Sequence, residues 1–63
     1  MNTKEPVRYR YVTPGGRGRW RETLKEARVA AAKAGHGSID EHSGTVFLNV
    51  LVVIEGSDGR VLK

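Results

Sequence analysis

Residues 23–35 read TLKEARVAAAKAG, and this stretch decides the fold. Thr23 and Glu26 stand three apart. That is the spacing of a capping box, in which the threonine hydroxyl accepts from the third helical N–H and the glutamate accepts from the threonine N–H. Leu24 to Ala34 then holds five alanines and neither Gly nor Pro, a composition of high helix propensity. Gly35 stands where a left-handed C-cap belongs. The pattern predicts one helix over 24–34, with Leu24, Ala27, Ala31 and Ala34 on a single stripe. A stripe made mostly of methyl groups lets a helix lie close to a sheet, although each residue buries little area. Lys25, Arg28 and Lys33 keep the other faces wet.

Both flanks of the helix read as β-structure. Upstream, VRYRYVTPGGRGRWR (7–21) alternates through Val7, Tyr9 and Tyr11 on one side and Arg8 and Arg10 on the other. Pro14-Gly15-Gly16 breaks the run, because proline presets φ and glycine permits positive φ. Alternation resumes with Gly18 and Trp20 opposite Arg17, Arg19 and Arg21, which predicts a β-hairpin. Downstream, 37–41 reads as a short strand and Glu41-His42-Ser43-Gly44 as its turn. Thr45 to Glu55 reads as the longest strand, with Val46, Leu48, Val50, Val52 and Ile54 on its even side. Gly56-Ser57-Asp58-Gly59 reads as a hairpin turn and Arg60 to Leu62 as a brief terminal strand. The fold class expected is α+β: a single α-helix on one face of a small antiparallel sheet, in the order β-β-α-β-β with a short fifth strand. Pleat alternation sends the even side of the long strand toward the helix, joined by Val7, Tyr9, Tyr11 and Trp20.

A chain of 63 residues allows one small domain, over 7–63, behind a polar tail at 1–6 expected to be flexible. It contains no Cys, so disulfides and thiolate zinc sites are excluded. No stretch has the form of a secretory signal or the roughly 20 apolar residues of a membrane span, and the chain reads as soluble and cytoplasmic. Charge is uneven. Between Val7 and Arg21 there are five Arg and no acid, whereas 34–63 carries four acids and two bases, within a net charge of +4. A basic front half suits a nucleic acid or an acidic protein surface as partner.

Three constellations are candidates for function. Arg8, Arg10, Arg17, Arg19 and Arg21 would share the sheet face away from the helix, and the planar guanidinium fork suits phosphate. In this register Tyr9, Tyr11 and Trp20 face the core instead of acting as stacking platforms. Phe47, Leu51 and Val53 would form an apolar patch on the uncovered side, which predicts an interface with another protein or a second copy of the chain. Asp40-Glu41-His42-Ser43, with His36 nearby, offers carboxylates and imidazoles. Its spacing matches no metal-ligand pattern and is better explained as turn chemistry. No catalytic residue, metal site or cofactor is assigned. The serines lie in turns without a base and an orienting group, and the Pro14–Gly18 tip lacks the strand-to-helix context of a P-loop.

The basic aromatic hairpin followed by a helix, Val7 to Ala34, resembles the small sheet-plus-helix domains with which phage integrases bind arm-type DNA. The resemblance rests on layout and carries no specific motif. It departs from that pattern because there a third strand precedes the helix, whereas here the further strands follow it. In size and β-β-α-β-β style the chain is also similar to small phage proteins, including anti-CRISPR inhibitors. The sequence therefore points first to a small basic nucleic-acid-binding accessory protein using an arginine-lined hairpin. The second reading is a protein-binding module or inhibitor acting through the exposed sheet face, with a homodimer as one form.

Overall fold

The computed structural model describes residues 7–62. The tail expected over 1–6 lies outside the described residues. In chain order the elements are β1 (Tyr9–Thr13), β2 (Gly16–Arg17), α1 (Leu24–Ala31), a wide closing turn (Ala32–His36), β3 (Gly37–Ile39), β4 (Val46–Leu48), β5 (Val53–Gly56) and β6 (Val61–Leu62). They form a four-stranded antiparallel sheet in the order β2-β1-β5-β6 and a separate β3-β4 hairpin. The α+β class expected from the sequence is what forms: one helix packed with antiparallel strands. Among the described residues no helix is long and apolar enough to cross a membrane.

The capping box closes as the spacing requires. Thr23 Oγ1 accepts from the Glu26 N–H at 3.1 Å, and Glu26 Oε1 accepts from the Thr23 N–H at 3.1 Å. At the other end Gly35 adopts φ 94°, ψ 10°, the left-handed cap that its position predicts. The regular α-helix stops at Ala31, three residues earlier than expected, because the chain widens into a π-type turn as it swings around Gly35.

Packing follows the middle of the expected stripe, whereas Leu24 and Ala34 at its ends are exposed. Ala27 and Ala31 are fully buried and, with Val46, Val52 and Ile54, make up the buried apolar set, in which Ile54 is the one large side chain wholly out of water among the described residues. The core is therefore thin, as expected below about 70–80 residues. Arg28 ties the helix to β4 by donating from Nη2 to the Val46 carbonyl at 2.9 Å.

The long strand expected over Thr45–Glu55 is instead two strands in two sheets. β4 pairs with β3, with Ser38 opposite Phe47. β5 pairs with β1, with Tyr11 opposite Ile54. Between them Asn49 donates its N–H to the His36 carbonyl at 2.9 Å and accepts from the Val52 N–H at 3.0 Å. This turn over 49–52 leaves Val50 86% and Leu51 68% exposed. Val46, Val52 and Ile54 keep the core-facing parity that the sequence predicts, whereas Val50 at the turn tip does not.

Candidate nucleic-acid interface

Directly opposed residues of antiparallel strands share a face of the sheet, so the register assigns the sides. Tyr11 lies opposite the buried Ile54, which places the odd residues of β1 on the helix side. The Tyr11 ring there packs against His36, with centroids 5.4 Å apart. The even residues lie on the open side. One row across the open face runs Arg17, Val12, Val53, and the next runs Arg10, Glu55, Val61.

The returning strand does not keep step with β1. The Gly18 N–H donates to the Tyr11 carbonyl at 2.9 Å, and Tyr9 and Arg21 exchange both backbone hydrogen bonds, at 2.8 and 2.6 Å. Two steps along β1 therefore face three steps along 18–21. Arg10 opposes both Arg19 and Trp20, which is a β-bulge. Gly18 meets the helix-side ring of Tyr11 so closely that a Cβ at that position would run into it.

One inserted residue reverses the facing of everything beyond it. Arg17 stays on the open side as expected. Arg21, opposite Tyr9, lies on the helix side of the sheet edge instead of with the other arginines. Trp20, expected in the core, turns to the open side. It is 40% exposed, with the Arg10 guanidinium carbon 4.2 Å from its ring centroid. Glu55 in turn accepts from Arg10 Nε at 2.6 Å. The half-buried Arg10 is thus held from two sides, by a cation–π contact worth about 0.5–1 kcal/mol and an ion pair worth about 0–1 kcal/mol.

The other four candidate arginines are free of such ties. Arg8, Arg17, Arg19 and Arg21 are exposed, and none pairs with a described carboxylate; the ion pairs among the described residues are Arg10–Glu55 and Arg60–Asp58. Arg17, Arg19 and Arg21, with an exposed indole among them, therefore follow the edge of the sheet, whereas Arg8 lies one strand in, at the end of β1 that bonds to Ser57; none of the four has a carboxylate partner among the described residues. The Pro14–Gly16 tip is closed by Thr13, whose hydroxyl donates to the Gly16 carbonyl at 3.0 Å and accepts from the Gly15 N–H at 3.2 Å.

The apolar candidates do not form one patch. Val53 is half-buried on the open face beside Val12, Phe47 lies on the outer side of the β3-β4 hairpin at 57% exposure, and Leu51 sits on the exposed turn. Phe47 and Val50 instead flank a shallow recess of about 330 Å³ that reaches in to Arg28 and Val52. Asp40 is engaged in its own turn. Its Oδ1 accepts from the His42 N–H at 3.0 Å and its Oδ2 from the Ser43 hydroxyl at 3.1 Å. In the β5-β6 turn the backbone N–H of Arg60, reinforced by the Arg60 guanidinium, holds the Asp58 carboxyl below the usual aspartate value.

Sequence periodicity missed two members of this site, Trp20 and Glu55. The signal for Trp20 was Gly18, since an isolated glycine within a strand pattern marks a bulge. Glu55 gave no signal, because its meeting with Arg10 depends on the pairing of β5 with β1, 45 residues away. Compared with known proteins, the chain matches no family model, no curated protein and no solved structure.

Proposed function

We propose that this chain is a small nucleic-acid-binding accessory protein that grips the phosphate backbone with its hairpin edge. The observation that carries the reading is the exposure of Arg8, Arg17, Arg19 and Arg21 with no carboxylate partner among the described residues. An excess of unopposed positive charge around the hairpin favours a polyanion as partner. Each guanidinium can donate two parallel hydrogen bonds to one phosphate. Arg10 is outside the gripping set in this reading, because Glu55 already occupies it.

A second reading is a protein-binding module or inhibitor, favoured by Phe47, Val50 and Leu51, which stand out of the surface on and beside the 49–52 turn. A mobility-shift assay on a short oligonucleotide separates the two. Under the first reading Arg8→Ala with Arg19→Ala abolishes the shift at moderate salt, and Phe47→Asp with Leu51→Asp leaves it intact. The reverse pattern, or no shift for the unmodified chain at low salt, removes the nucleic-acid reading.

A further inference from the structure

Building on the nucleic-acid reading, we infer that the ligand is single-stranded and that one of its bases stacks on Trp20. Three observations lead there. The first is the indole itself. It is 40% exposed on the open side of the sheet and is fixed in place. Arg10 covers one side of the ring at 4.2 Å, and Glu55 anchors Arg10 at 2.6 Å. A ring fixed in this way and partly open to solvent can serve as a stacking platform, and every base presents a π-face to such a platform.

The second is the surroundings. Arg17, Arg19 and Arg21 lie within three residues of Trp20 along the same edge, a stretch of at most about 13 Å at strand spacing. Arg17 is on the open face and Arg21 is turned to the other side of the edge. A backbone running past the edge would meet cations before and after the stacked base.

The third is what the geometry denies to a duplex. A two-stranded ribbon reads B-DNA by entering the major groove. Here β1 is no free ribbon: β5 pairs along its other side from Tyr9 to Val12. β2 is two residues long, and only Pro14 and Gly15 project beyond its pairing with β1. In a duplex the bases are also stacked on one another and have no face to offer the indole. Unpaired strands do.

The chain contains one tryptophan, so its fluorescence reports on this ring alone. The test titrates the full chain with three probes: an oligothymidylate, the same length of abasic strand, and a hairpin duplex. The oligothymidylate should quench the emission and bind about tenfold more tightly than the duplex. The abasic strand should bind through its phosphates without the quenching. Trp20→Ala should weaken oligothymidylate binding by about 5- to 150-fold, while Trp20→Phe retains most of it. Glu55→Gln should leave the chain more basic yet less quenched, because Arg10 no longer holds the ring; a merely structural role for Glu55 would not divide charge from quenching in this way. Equal affinity for duplex and oligothymidylate, or full quenching by the abasic strand, overturns the stacking inference and leaves phosphate gripping in place. Failure of all three probes to bind at low salt overturns both.

Discussion

Salt is the sharpest probe of the proposed contact, because the number of released counterions is fixed by how many arginines are free to meet phosphate. Four are exposed and unpaired with any described carboxylate: Arg8, Arg17, Arg19 and Arg21. If each neutralises one phosphate of a single strand, the logarithm of affinity falls with the logarithm of salt at a slope of about −0.7 × 4, or −2.8. Raising salt from about 50 to about 200 mM then weakens binding by about 50-fold. Arg17→Ala with Arg19→Ala halves the count, so the slope becomes about −1.4 and the same change in salt costs about sevenfold. Lys25→Ala with Lys33→Ala removes equal charge from exposed positions in and just beyond the helix and should leave the slope near its original value. Fluorescence anisotropy of a labelled oligonucleotide at four or five salt concentrations measures all three slopes. A slope shallower than about −1 for the unmodified chain contradicts the count of free arginines. Equal flattening by the lysine pair would refute the geometry, since only net charge would then matter.

The remaining predictions concern stability and local structure. Ile54→Ala should cost about 2–5 kcal/mol in urea unfolding, most or all of what a core this small supplies, whereas Val50→Ser and Leu51→Ser should each change stability by about 0.5 kcal/mol or less; similar losses for all three would mean that the 49–52 turn is wrongly placed. Gly18→Ala should destabilise by about 1–3 kcal/mol and shift the NMR signals of His36, because the new methyl group displaces the Tyr11 ring that packs on it; unchanged His36 resonances would contradict the close approach. Asp58 should titrate below the ordinary value of 3.8, so the stability it contributes is present above that value and is lost as pH falls through the lower, folded one. A carboxyl-carbon NMR titration giving 3.8 or higher would show that the Arg60 N–H does not hold it.

The two places where alternation misleads teach different things. The run 45–55 contains a turn, yet Val46, Val52 and Ile54 are buried as its even parity predicts. The 49–52 turn returns the chain in phase, so core membership was legible even though the strand was broken. The break itself was marked only by Asn49, the single polar residue between Val46 and Ile54 and a residue type suited to opening a turn. In 17–21 the interruption is one residue, and one residue is half a period. Arg21 and Trp20 therefore exchange sides while the sequence continues to look like an unbroken strand. The helix was read more securely because its signals are local. Thr23, Glu26 and Gly35 each act within one turn, whereas the pairing of Arg10 with Glu55 depends on the long-range contact of β1 with β5.

A bulged, arginine-bearing edge strand also has a plain structural use, since both features discourage edge-to-edge association of sheets. That use accounts for charge on β2 and for its shortness. It does not account for Trp20. A guard against association gains nothing from an exposed indole beside it, and a strand in register with β1 would have carried that ring into the helix-facing layer, where a core whose one fully buried large side chain among the described residues is Ile54 could have used it. The bulge instead gives up that burial and sets the ring against Arg10, which Glu55 keeps from swinging away. Departures from local rules that weaken the fold tend to collect where a protein makes contact with something else. In this chain the departure, the ring and cations without a described carboxylate partner coincide between Arg17 and Arg21, and the proposed single-stranded ligand, with its base faces and phosphates, would use all three.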